Sequence, residues 1–157
     1  MANLTVPAAK IRQGPVYLRF DDGKVFVAPE DYNIFMIEAR RAIEALRSAV
    51  EVDGWVKSFF DEYVPYLHEW CQKREDLVEA CYFAFSSGQK VFIVTKGGYN
   101  VQLGEEISKL ELDLANMEWS CDVLQIPDGD DEELQTFFNP DRAVQIYAQP
   151  KTAPTKS

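Results

Sequence analysis

The sequence predicts an α/β domain, and three stretches carry that expectation. Residues 90–95 form a short apolar, β-branched run between glycines, which suits a strand buried on both faces. Leu103, Ile107, Leu110, Leu114 and Met117 then recur at alternating steps of four and three, which is one stripe of a helix. Residues 121–126 and 143–148 are two further apolar runs. A short helical stretch between them has Leu134, Phe137 and Phe138 as its apolar contacts. The order strand, helix, strand, helix, strand builds a parallel sheet with helices packed on it.

Upstream, Asp22-Gly23 stands between two alternating segments, the signal of a two-residue type I′ hairpin. Such a turn sets Leu18 opposite Val27, Phe20 opposite Val25 and Asp21 opposite Lys24. Val16, Leu18, Phe20, Val25 and Val27 then share a core face. The other face carries Tyr17, Arg19 and Phe26, enough apolar surface to be covered as well.

Pro29-Glu30-Asp31 opens a helix, with proline in its first turn and acids at the positive end of its dipole. Its stripe is Tyr32, Phe35, Met36, Ala39, Ile43, Leu46 and Val50. Asp53 caps the next helix, whose stripe is Val56, Phe60, Tyr63, Leu67 and Trp70 or Cys71. Pro65 interrupts it, so one kinked helix is expected. Residues 76–87 read as a third helix through Leu77, Val78, Cys81 and Phe85. A strand over 80–85 is the alternative, and the propensities of Asp76-Leu77-Val78-Glu79-Ala80 favour helix.

The expected organisation is therefore one α/β domain over residues 15–148, with a mixed sheet of about five strands: the hairpin plus the βαβαβ unit. Residues 1–14 read as a flexible leader and 149–157 as a loose tail. A chain of 157 residues with 46% apolar and 13% aromatic content has material for one real core. Its net charge of −10 disfavours nucleic acid and anionic membrane as partners, because the long-range field repels both. There is no early apolar segment of signal-peptide length and no run long enough to span a bilayer. Cys71, Cys81 and Cys121 are odd in number and lack C-x-x-C spacing. They suit a reducing compartment, so a cytoplasmic location is expected.

Two loops at the carboxyl edge of the parallel strands are candidate ligand-binding positions, because open α/β sheets bind ligands at that edge. The first is Lys96, Gly97, Gly98, Tyr99 and Asn100, a glycine turn before a helix. It fits neither the dinucleotide nor the P-loop pattern, and a tight turn with a polar cap explains it. The second contains Asp128 and Asp130 within Asp128-Gly-Asp-Asp-Glu-Glu133. Hard cations want such carboxylates, yet EF-hand offsets fail and place Asn139 at the terminal position. A helix start with Asp130 or Asp131 as cap accounts for the acids. His68 is the only histidine, so no histidine-rich metal site exists. No metal ligand set, no cofactor motif and no catalytic constellation emerges.

The aromatic helix offers another idea. Phe59 and Tyr66 fall off its main stripe, and with Trp70 they are candidate interface residues. The function expected is a non-enzymatic protein-interaction or regulatory module, acting through that helix surface or by self-association with a protein partner or second copy. The alternative is an enzyme dependent on a small ligand or divalent metal, with its site at the carboxyl edge.

Overall fold

Strand β1 (Val16–Asp21) pairs antiparallel with β2 (Lys24–Val27), in the register the hairpin signal implies. Leu18 faces Val27, Phe20 faces Val25 and Asp21 faces Lys24. The computed structural model describes residues 15–21, 24–43, 49–85 and 88–149. The Asp22-Gly23 turn, the leader, the tail beyond Gln149, and Leu46 of the first helical stripe lie outside the described residues.

Helix α1 (Pro29–Ile43) follows, with acids in its first turn and arginines in its last, as the dipole favours. Helix α2 (Ala49–Ser58) continues through a π turn at Phe59–Tyr63 into α3 (Val64–Gln72). Asp53, expected as a cap, lies inside α2 and pairs with Arg40 at 3.5 Å. The Val64 N–H donates to the Phe59 carbonyl, five residues back. Pro65 has no N–H to give, and the π turn directly before it absorbs that break without ending the helix. The sequence expects Phe60 on the inward stripe and Phe59 off it. Phe59 follows the buried Val52 and Val56 at helical steps of four and three, so it is fully buried, while Phe60 is half-buried.

Residues 78–85 depart from the sequence expectation. They form strand β3 (Val78–Phe85), which lies between β4 (Gln89–Thr95) and β6 (Ala143–Ala148) and pairs antiparallel with both. The helical spacing of Leu77, Val78, Cys81 and Phe85 is a coincidence of a strand apolar on both sides. Cys81 and Phe83 enter one core, while Ala80 and Ala84 enter the other. Two ladders and two packed faces outweigh local helix propensity.

β4 connects through α4 (Val101–Asn116) to β5 (Asp122–Pro127), and the two strands are parallel neighbours. Leu103, Ile107, Leu110 and Leu114 are buried as the stripe requires. The second crossover goes further than the sequence implies. Helix α5 (Asp131–Leu134) and a 3₁₀ turn (Pro140–Arg142) carry the chain past β4 and β3, and β6 inserts between β3 and β1. The sheet has six strands in the order β2-β1-β6-β3-β4-β5, and β1, β6, β4 and β5 run in one direction. The sixth strand is the one read as helix.

The two faces are covered unequally. One is packed by α1, the α2–α3 helix and α4, around a cluster of rings. Phe83 meets Phe35, Trp55, Phe59, Phe85 and Trp119, and Tyr63 stacks on Trp119 at 4.6 Å. The hairpin joins this layer through Phe20, which stacks on His68 at 3.8 Å, while Tyr147 meets the imidazole edge-on. Among the described residues the other face has only the short α5 segment, where Leu134 and Phe138 pack on Phe92, Val94 and Ile126.

Two outcomes follow. Phe83→Ala empties the centre of the ring cluster and should cost about 3–5 kcal/mol in urea denaturation; a loss below about 1 kcal/mol would mean the cluster does not anchor the sheet. Burial lowers the His68 pKa from its ordinary value. A depressed folded pKa contributes stability above the unfolded value of about 6.5 that is lost as pH falls through the folded value. The unfolding midpoint should therefore drop as pH falls below about 6.5, and less so in His68→Phe. Equal slopes in the two proteins would remove His68 as the cause.

Candidate functional site

The carboxyl edge of β4 and β5 is formed as the topology implies, with Thr95 and Pro127 as the last paired residues. The loop after β4 is held by its own neighbours. The Thr95 hydroxyl donates to the Gly98 carbonyl at 3.0 Å, and Gly97 turns at φ +76°, a conformation that suits glycine. Asn100 caps α4, its Oδ1 accepting from the Leu103 N–H at 2.8 Å. The Gln125 side chain of β5 clamps the Asn100 backbone: its Oε1 accepts from the N–H at 2.6 Å, and its Nε2 donates to the carbonyl at 3.0 Å. The Tyr99 hydroxyl crosses above Gly104, where an added Cβ would come within 2.8 Å of it. Lys96, Gly97, Gly98 and Tyr99 are exposed, and Asn100 is half-buried.

Across the edge, Asp128 is exposed, and Asp130 is bound into the turn that follows. Asp130 and Glu133 form a reciprocal capping pair. Asp130 Oδ1 accepts from the Glu133 N–H at 2.9 Å, and Glu133 Oε1 accepts from the Asp130 N–H at 2.9 Å. The polar groups of both loops thus serve local caps and turns. Among the described residues no cluster of histidine, cysteine and carboxylate side chains is arranged to hold a metal.

Phe59, Tyr66 and Trp70 are placed mostly inward. Phe59 is 0% exposed and stacks on Phe35 and Trp55. Trp70 is 7% exposed and lies under the Arg74 guanidinium at 4.0 Å, which is itself bonded to Glu106 of α4. Tyr66 is half-buried and donates to Asp113 of α4 at 3.1 Å. Tyr66 and the Trp70–Arg74 pair fasten α3 to α4, leaving Tyr66 with the most surface of the three. A groove of about 560 Å³ runs beside them, lined by alternating charges such as Glu69, Lys73, Arg74 and Lys109.

The thiols are not poised for chemistry. Burial raises the Cys81 pKa well above its ordinary value, and burial with Glu111 nearby pushes Cys121 up to about 12. A thiol kept protonated is a poor nucleophile. Cys71, Cys81 and Cys121 are all free.

The feature that sequence reading missed is the second face of the sheet. Tyr17, Gln145, Tyr82, Phe92 and Leu124 stand in register across five neighbouring strands. Phe138 covers the middle of this row, packing on Tyr82 and Phe92 at 5.0 and 4.8 Å. Its ends are open: Tyr17 is 55% and Leu124 40% exposed. Phe26, under the Arg19 guanidinium at 5.1 Å, is 41% exposed, and Phe137 on the far side is 42% exposed. Phe137 therefore departs from its expected inward place, while Leu134 and Phe138 keep theirs. The signal available was the outer hairpin face of Tyr17, Arg19 and Phe26; among the described residues α5 does not extend over it, and both rings stay exposed.

The sheet edges are guarded. On β5 the Val123 N–H donates to the Glu111 carboxylate of α4 at 2.8 Å, and Pro127 offers no donor. β2 is four residues long and carries an exposed Lys24. Short, charged or capped edges resist addition of a further strand, so the faces rather than the edges are open to contact.

Asp130→Ala removes one half of a capping pair and should cost about 1 kcal/mol, equally in chelator and in millimolar Ca²⁺ or Mg²⁺. A loss that appears only when the cation is present would make the acidic loop a metal site instead.

Among the described residues no helix is long and apolar enough to cross a membrane. The chain matches no protein-family model, and no curated protein or solved structure is significantly similar to it.

Proposed function

We propose that this protein is a non-enzymatic protein-interaction module of the cytosol that binds through the sheet face left half bare by α5. The observation that carries the reading is the row from Tyr17 to Leu124. Its aromatic and aliphatic ends, with Phe26 and Phe137, remain exposed on one face of an otherwise well-packed sheet. Clustered large apolar side chains rimmed by charge mark contact surfaces, because burying them against a partner releases the water that covers them. The free cysteines agree with a reducing compartment. The residues first singled out for an interface sit elsewhere: Phe59 and Trp70 are occupied in packing, so the surface offered is the sheet and not the helix.

Tyr17 and Phe26 are exposed, so Tyr17→Glu with Phe26→Glu should leave the unfolding midpoint within a few degrees of wild type. Amine cross-linking in extract of the cells that make the protein reads the surface directly. Lys24 lies on this face, whereas Lys57 lies on the helical side. Intermolecular cross-links at Lys24 are expected in wild type and lost in the double variant, with those at Lys57 unchanged. Cross-links at Lys24 that persist in the variant would overturn the reading.

A further inference from the structure

Resting on that reading, we infer that the occupant of the half-bare face is a second copy of this chain, docked face to face about a two-fold axis. The argument is charge complementarity between the two ends of one face. The hairpin end presents Arg19, held over the Phe26 ring, and Lys24 beside it, with Asp21 opposite Lys24. The α5 end carries Asp128, Asp130, Glu132, Glu133 and Phe137, all exposed. Both ends lie on the same side of the sheet. Tyr17 and Tyr82 flank Gln145 in the pairing register, and Tyr82 packs on Phe138 just after α5.

A two-fold axis turns one copy so that its cationic, aromatic end meets the acidic end of the other, and the reverse contact forms at the same time. The hairpin end supplies the exposed Tyr17 and Phe26 and, with Asp21 set against Lys24, a net excess of one positive charge, while the α5 end supplies the exposed Phe137 and an excess of negative charge. The chain as a whole carries a net charge of −10, so long-range repulsion opposes any pairing of two copies that lacks a cationic contact. The guarded edges of β2 and β5 direct association to the face rather than to a continuous intermolecular sheet.

Sedimentation velocity of the full chain over a wide concentration range tests this, with a charge swap as the decisive arm. Wild type should self-associate, and about 0.5 M NaCl should weaken the dimer, since exposed charge pairs are screened. Arg19→Glu and Glu132→Arg should each raise the dissociation constant about tenfold, because the two-fold axis applies each repulsion twice. The double variant should recover wild-type association, which also shows that neither change merely unfolds the protein. A wild type that stays monomeric throughout overturns the second-copy proposal. If Lys24 still cross-links to a different protein, the interaction reading survives that result; if Lys24 gives no cross-link, both fall. Dimerisation indifferent to both single reversals, or not restored by the pair, places the contact elsewhere and overturns the proposal.

Discussion

The structure depends on β3 being satisfied on four sides. Its backbone is paired antiparallel with β4 on one edge and β6 on the other. Its side chains alternate between the ring cluster under the helices and the smaller core under α5. A central strand of this kind fixes its neighbours, because any slip by one residue would exchange its two faces. Phe83 links this strand to every helical layer above it. It meets Phe35 of α1, Trp55 of α2, Phe59 of the π turn and Trp119 beyond α4. Around that ring the helical side chains join the sheet in one core.

From this constraint comes an imbalance between the faces. The helices bury one side, with α1, the α2–α3 helix and α4 converging on the same rings. Among the described residues the other side is covered only around Leu134 and Phe138, over β3, β4, β5 and Ala143 at the start of β6. The β1–β2 hairpin lies beyond that cover, so its inner residues pack beneath the helices while Tyr17 and Phe26 stay in water. A sheet bare at one end can keep a contact surface with little loss of stability. The hairpin is already held by its inner face and by the His68 stack, and needs nothing further from its outer face.

The carboxyl edge illustrates how a suggestive pattern resolves into structure. Gly97 makes a left-handed turn, Asn100 caps a helix, and Asp130 and Glu133 cap each other. Gln125 adds a cross-link that no motif would name, pairing its side-chain amide with the backbone of Asn100 from the neighbouring strand. These bonds account for Gly97, Asn100, Asp130 and Glu133 through backbone turns and satisfaction.

What the sequence determined by itself was local. Turn chemistry and alternation set the hairpin register, and the 3.6-residue stripe set α4. Cap residues set the starts of α4 and α5, because these signals act between residues a few positions apart. The tertiary structure alone decided that residues 78–85 are a strand, since a segment apolar on both sides carries no period to separate strand from buried helix. It also decided that β6 leaves its βαβ neighbours to lie between β3 and β1. Which rings of the α2–α3 helix meet the sheet was settled by packing, with Phe59 against Phe83, and among the described residues α5 ends before it reaches the hairpin's outer face. Each of these is fixed by contacts between residues distant in sequence, where pairing and burial outweigh local preference.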